Sequence, residues 1–167
     1  MPSLSPSVPS AAVDSLHFRQ ALSQFATGVT IVTAALADGR LVGVTINSFS
    51  SVSLDPPLVL WSLAHTASSM AAFQAAAGYV INVLADNQAE LAQRFARPGE
   101  DRFDTVDFTL SPQGVPVLAG TVATFECRPR SRYAEGDHVI FVGAVERCQF
   151  HPHRPLGFHR GRFIAIS

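Results

Sequence analysis

Residues 45–57 form the richest run of hydrogen-bonding side chains. Thr45, Asn47, Ser48, Ser50, Ser51 and Ser53 set five hydroxyls and one amide within nine positions, directly after an apolar stretch. Such a run offers many donors and acceptors to a planar polar ligand; the same composition also builds a plain Ser/Thr-rich turn. Arg128, Arg130 and Arg132 alternate along one strand face, where they can grip a phosphate, meet a partner or simply face solvent. His151 and His153 share a strand face two residues apart, but no third ligand accompanies them, so no metal site is assigned. There is no GxGxxG, GxxxxGK[ST], HExxH or CxxC, so a nucleotide must be held by other means.

The elements that position these residues can be read from periodicity and turn chemistry. Asp14 or Ser15 caps a helix running to about residue 26, with Phe18, Leu22 and Phe25 on one face. A β-rich run starts near Val29, and Asp38-Gly39 marks a hairpin whose return strand is 41–46. A short apolar strand, 58–63, enters through Pro56-Pro57. Helical patches at 67–77 and 88–96 flank a strand at 79–84. Residues 97–120 carry Gly, Pro and acidic punctuation and read as a long surface excursion. Three strands follow, 122–133, 138–150 and 157–166; in 139–145 both alternate sets are apolar, which predicts burial on both faces. Many strands joined mostly by hairpins, with few short helices, argue for a mainly β, closed antiparallel barrel over a doubly wound fold.

Composition narrows the function classes. A chain of 167 residues suits one domain of about 100–200 residues and buries roughly 70% of its unfolded surface. With 47% hydrophobic and 15% charged residues, disorder is excluded. The net charge of −1, from 12 cationic and 13 acidic residues, argues against nucleic-acid binding. No apolar run is long enough for a membrane span, and Cys127 and Cys148 alone make no disulfide scaffold. All 12 cationic residues are arginine. Lysine Schiff-base chemistry is therefore absent, and any phosphate must be held by Arg, hydroxyls or backbone N–H groups. Residues 1–14, with Ser and Pro dominating the first ten, read as a flexible tail ahead of a domain at 15–167; without a secretory pattern, the expected compartment is the cytoplasm.

Residues 25–33, 43–59, 82–84 with 88–95, Glu126-Cys127, Gly136-Asp137-His138, and Pro155-Leu156 before an aromatic C-terminal strand occur in one order along 18–165. In these pieces the chain resembles the flavin reductase family with the FMN-binding split-barrel fold. These are the reductase components of two-component flavin-dependent monooxygenases.

The resemblance implies an NAD(P)H:flavin oxidoreductase that reduces FMN or FAD and supplies reduced flavin to a partner oxygenase. NADH is the expected reductant and NADPH is possible. The homodimer expected here rests on a shallow, hydroxyl-lined site of the kind that sits between subunits. By resemblance, Thr45, Ile46, Asn47 and Ser48 run along the isoalloxazine edge, and Ser51, Val52 and Ser53 continue along the ring and ribityl chain. Leu63, Ala64, Thr66, Ser68 and Ser69 meet the phosphate, which a helix N-terminus at Ser68 and Ser69 also favours. Arg94 is chosen to neutralise that phosphate, against a solvated helix face, and Phe95 falls in the same flavin-binding segment. His138 is placed at the nicotinamide nucleotide, against local packing at a strand start, and His159 on the C-terminal strand is assigned beside it. Hydride passes between two cofactors, so no side chain is needed as acid or base. The alternative is a non-catalytic flavin carrier or storage protein, and His138 is what separates the two.

Overall fold

The computed structural model describes residues 12–99 and 102–167; residues 1–11 of the expected tail lie outside them. The order is α1 (Ser15–Leu22), β1 (Thr27–Gly28), β2 (Thr30–Ala35), β3 (Leu41–Ile46), β4 (Ser50–Leu54), β5 (Pro57–Ala64), α2 (Met70–Ala75), β6 (Tyr79–Val83), a 3-10 turn (Asp86–Gln88), α3 (Ala89–Ala96), β7 (Phe108–Leu110), β8 (Pro116–Leu118), β9 (Ala123–Glu135), β10 (His138–Phe150), β11 (Leu156–His159) and β12 (Arg162–Ala165). Seven strands form one antiparallel sheet in the order β3-β2-β6-β9-β10-β5-β4. Its two ends meet at Ser48, whose hydroxyl donates to Ser62 O and accepts from Ser62 N, each at 2.9 Å. That seam curls the sheet into a mainly β split barrel, with β1-β11-β12 as a second sheet and β7-β8 as a ribbon.

Local chemistry accounts for the elements. Gly39 adopts a φ of 87° in the β2–β3 turn, a conformation open to glycine at little cost. Asp14 caps α1 by accepting from Leu16 N and His17 N. α1 ends at Leu22, short of the expected residue 26, and none of its residues is buried. α2 is shorter than the expected 67–77 but buries Met70 and Phe73, and α3 buries Ala92 and Phe95.

Two apolar clusters fill the interior. In the first, Trp61 stacks on Phe141 at 4.4 Å and meets Phe73 and Tyr79 edge-on. The second joins Val29, Ile31, Leu84, Phe95, Leu118 and Leu156 beneath α3. Each large side chain so buried contributes about 1.5–3 kcal/mol. Fully buried Asn82 donates to Ile31 O and Thr33 Oγ1 and accepts from Leu118 N, locking β2, β6 and β8 together.

Three expectations need correction. Residues 97–120 are not merely a surface excursion: they hold the β7–β8 ribbon and bury Val115 and Leu118, because their apolar residues cap the second cluster. The span 157–166 is a hairpin, broken at Arg160-Gly161, where both φ angles are positive. The stretch 139–145 is fully buried on one face only; Val139, Phe141 and Gly143 point inward, while Ile140, Val142 and Ala144 stay half-exposed. The arginine stripe on β9 is partly engaged within the fold, Arg128 pairing with Glu146 at 3.2 Å and Arg132 donating to Gln74 O.

Candidate active site

Strand β3 organises the candidate site. Side chains alternate across it. Val42, Val44 and Ile46 pack on the first apolar cluster, while Gly43 and Thr45 face α3. A Cβ on Gly43 would sit 2.6 Å from the Phe95 ring, so glycine is what lets α3 seat this closely. Thr45 Oγ1 donates to Ala92 O at 2.6 Å. β3 ends the sheet, and Gly43 O turns outward to accept from Arg102 Nη1 at 2.9 Å. By the same alternation Thr45 presents its N–H and C=O along that free edge.

Two cavities lie near the two ends of β3. A cavity of about 530 Å³ lies at its start, lined by Leu41, Gly43, Arg40, Ser68, Ser69 and Arg102. A larger, mostly apolar cavity of about 800 Å³ lies past its end, lined by Asn47, Ser48, Phe49 and Ser50 together with α1, β1 and the β11–β12 turn. Gly43 and Asn47 are four residues apart, about 13 Å along a strand. One end therefore offers hydroxyls and guanidinium groups in a small cavity, and the other a larger, mostly apolar chamber with Arg19 and Arg160 in its lining. Thr27 borders the chamber, and its Oγ1 is buried without a hydrogen-bond partner.

The expected residues divide accordingly. Asn47 and Ser48 line the large cavity, and Ser68 and Ser69 the small one. The hydroxyls of Thr45 and Ser48 are occupied by Ala92 and Ser62, and Ile46 is packed inward, which leaves β3 its backbone to offer. Ser51, Val52 and Ser53 lie on the edge strand β4 and line neither of these cavities. Leu63 belongs to the core, so only its backbone is on offer; Ala64 is half-buried and Thr66 exposed. Phe95 is fully buried, edge-on to Phe103, and cannot meet a ligand. Arg94 does not line the cavity of Ser68 and Ser69; its Nη1 donates to Asp104 O at 2.7 Å, and it shares a neighbouring cavity with Arg97 and Arg102. α2 spans only six residues, and Ser69 at its N-cap makes no side-chain capping bond, so its hydroxyl rather than a helix dipole is what this corner provides.

His138 lines neither cavity. It starts β10 opposite Ala64, with Nδ1 2.7 Å from Asp137 Oδ1. The hydrogen bond from His138, then its charge, hold the Asp137 carboxyl below the usual range. His159 lies on β11 opposite Arg162; its neighbours Phe158 and Arg160 face the large cavity and it does not.

Sequence reading missed Arg102. Its guanidinium also donates to Gly99 O, and among the described residues no carboxylate pairs with it. Arg40, by contrast, pairs with Asp38 at 2.7 Å. The available signal was the absence of lysine, which made every arginine a phosphate candidate; Arg102 was hidden within the stretch read as surface. Burial pushes the Cys127 thiol up to about 12 and raises the Tyr79 hydroxyl above its ordinary value, so both stay neutral. Among the described residues no three His, Cys, Asp or Glu side chains are grouped to hold a metal ion.

Residues 22–167 match the family described as flavin reductase like domain. The chain is 47% identical over 154 residues to the FMN reductase (NADH) SmoA of Agrobacterium fabrum, covering 92% of this chain and 87% of that protein. It is 39% identical over 161 residues to HsaB of Rhodococcus jostii, the reductase subunit of a flavin-dependent monooxygenase, covering 96% and 82%. In structure it is similar to the NADH:FAD oxidoreductase SgcE6 of Streptomyces globisporus, solved with NAD and FAD fragments, with a TM-score of 0.87, 38% identity and coverage of 92% and 93%.

Proposed function

Because the chain belongs to the flavin reductase like domain family, we propose that it oxidises NADH, reduces FMN or FAD, and delivers the reduced flavin to a separate flavin-dependent oxygenase. One observation carries the fit to this chain. A single free strand edge, β3, joins a Ser/Arg-lined cavity to an apolar chamber, and a flavin nucleotide is likewise anionic at one end and flat and apolar at the other. Bound flavin supplies the hydride-accepting chemistry.

The protein's own residues bind and orient. Arg102, Ser68 and Ser69 hold the phosphate end, where a hydrogen bond to a charged group is worth about 1.5–3 kcal/mol. The backbone of Thr45 and Asn47 aligns the ring edge. Phe49 and Phe158 would give a bound nicotinamide ring apolar surface to pack against. No side chain acts as acid or base in this reading, and Asp137-His138 remains the proposed contact to the nicotinamide nucleotide at the head of β10. NADPH is the alternative reductant that the test below sets against NADH.

A homodimer is supported by the outer face of β5 and β10, where Leu58, Leu60, Ile140 and Val142 form an apolar, half-exposed patch. Apolar sheet faces of this kind are normally covered. No helix of the described residues is long and apolar enough to cross a membrane; the need for NADH makes the cytoplasm the proposed compartment, with residues 15–167 acting as one domain behind the 1–14 tail.

The test is to mix the protein with FMN or FAD, add NADH or NADPH with no other substrate, and follow the visible flavin absorbance without oxygen. Bleaching faster than the protein-free control is expected. No bleaching with any of the four pairs refutes the reading.

A further inference from the structure

The β11–β12 turn holds a residue that the chemistry of turns does not explain. Arg160 and Gly161 have φ of 50° and 75°, the pattern of a two-residue type I′ hairpin, whose first position is normally Asn, Asp or Gly. A long side chain there is uncommon, and such outliers point to function when the surroundings hold them in place. The surroundings do so here. Arg160 N donates to Ser23 O at 3.0 Å, and its Nε and Nη2 donate to Gln24 Oε1 at 2.9 and 2.7 Å.

That anchor fixes the guanidinium plane without neutralising it. Gln24 is uncharged, and among the described residues no carboxylate pairs with Arg160 or Arg19. Two N–H groups are occupied, and the rest of the fork is open. Both arginines line the large cavity, which includes no acidic residue, while Phe25, Phe49 and Phe158 give it aromatic walls. Two cations in the lining of one chamber with aromatic walls suit a flat ring carrying phosphate.

We propose that Arg160, assisted by Arg19, holds the pyrophosphate of the nicotinamide dinucleotide at the rim of this chamber. The assignment rests on the reductase reading above, and it replaces His159 as the contact from this strand. His159 closes β11 and Arg160 opens the turn, and of the two only Arg160 lines the chamber. The phosphate-binding corner at Arg102 is on the other cavity, so the two anionic ligands have separate guanidinium partners.

The test compares NADH with 1-benzyl-1,4-dihydronicotinamide, a hydride donor lacking phosphate, using Arg160→Gly, Arg160→Lys and Gln24→Ala. Glycine suits the positive φ, so Arg160→Gly removes the side chain without straining the turn. Expected are a rise in KM for NADH of about 5- to 50-fold for Arg160→Gly, a smaller rise for the other two variants, and a change in KM for the phosphate-free donor of less than about twofold. Calorimetry of NADH binding should show the same loss. Equal loss with both donors overturns the assignment, because Arg160 then shapes the cavity. A raised flavin Kd with normal NADH binding overturns it too, because the contact is then to flavin. A wild-type protein that oxidises neither donor refutes the reductase reading, and the calorimetric comparison then still decides Arg160.

Discussion

Replacing Ser48 with alanine separates a ligand contact from a structural seam. The hydroxyl makes two hydrogen bonds, both to the backbone of Ser62 and both at 2.9 Å. Ser48 and Ser62 are half-buried, so the abandoned N–H and C=O of Ser62 are only partly rescued by water. At about 0.5–1.5 kcal/mol per bond, the loss is about 1–3 kcal/mol. For a chain of this size each kcal/mol lowers Tm by about 2–4 °C, which predicts a fall of about 2–12 °C in the ligand-free protein. The assay is thermal unfolding by circular dichroism without flavin, followed by fluorescence titration with riboflavin and FMN. Both flavins should weaken by the same factor, because the opened seam displaces the Asn47 backbone and not the phosphate corner. An unchanged Tm with weakened flavin binding refutes the reasoning; the hydroxyl would then be leaving Ser62 to bond the ligand.

Other expectations follow from single contacts. Gly43→Ala places a Cβ 2.6 Å from the fully buried Phe95 ring; overpacking of this kind costs about 1–3 kcal/mol, and an unchanged urea midpoint would contradict the close seat of α3 on β3. Arg102→Ala should weaken FMN by about 10- to 100-fold and riboflavin far less, while Arg94→Ala, directed at Asp104, should shift FMN by less than about twofold; the reverse order in a binding titration would return the phosphate to Arg94. The native protein should show one reactive thiol, exposed Cys148, and a second only on unfolding, since Cys127 is buried. The Cys127 thiol is raised from its ordinary 9.0 to about 12 by burial first and by Glu146 and Glu126 next. Its stabilising contribution is therefore complete below pH 9 and declines as pH rises towards 12, because only the unfolded chain releases that proton in the interval; a Cys127→Ala variant should show a shallower loss of Tm across that range.

Local sequence was enough for most helices and strands, because these depend on neighbours, though not for β4 or the β7–β8 ribbon. Asp38-Gly39 is a hairpin whatever lies around it, and Leu91 and Phe95, four apart, put one face of 88–96 inward. The ordered motifs from residue 25 to residue 156 were enough to indicate the family and its chemistry, and the hydroxyl-rich run at 45–57 marked the right neighbourhood. Tertiary structure alone decided which atoms are available. Ser48 and Thr45 look like ligand donors until the barrel closes and their hydroxyls meet Ser62 and Ala92. Phe95 looks like a stacking surface until α3 lies on Gly43 and buries it. Arg94 and Arg102 are equal candidates as letters; helix phase turns one to Asp104, and the loop after α3 carries the other back to the Gly43 carbonyl. His159 and Arg160 differ by one position, and only the β11–β12 turn settles which of them faces the chamber. Pairings across 14, 47 or 59 residues leave no trace in local spacing. Each exists only because a distant strand or loop reaches hydrogen-bonding range once the sheet has curled.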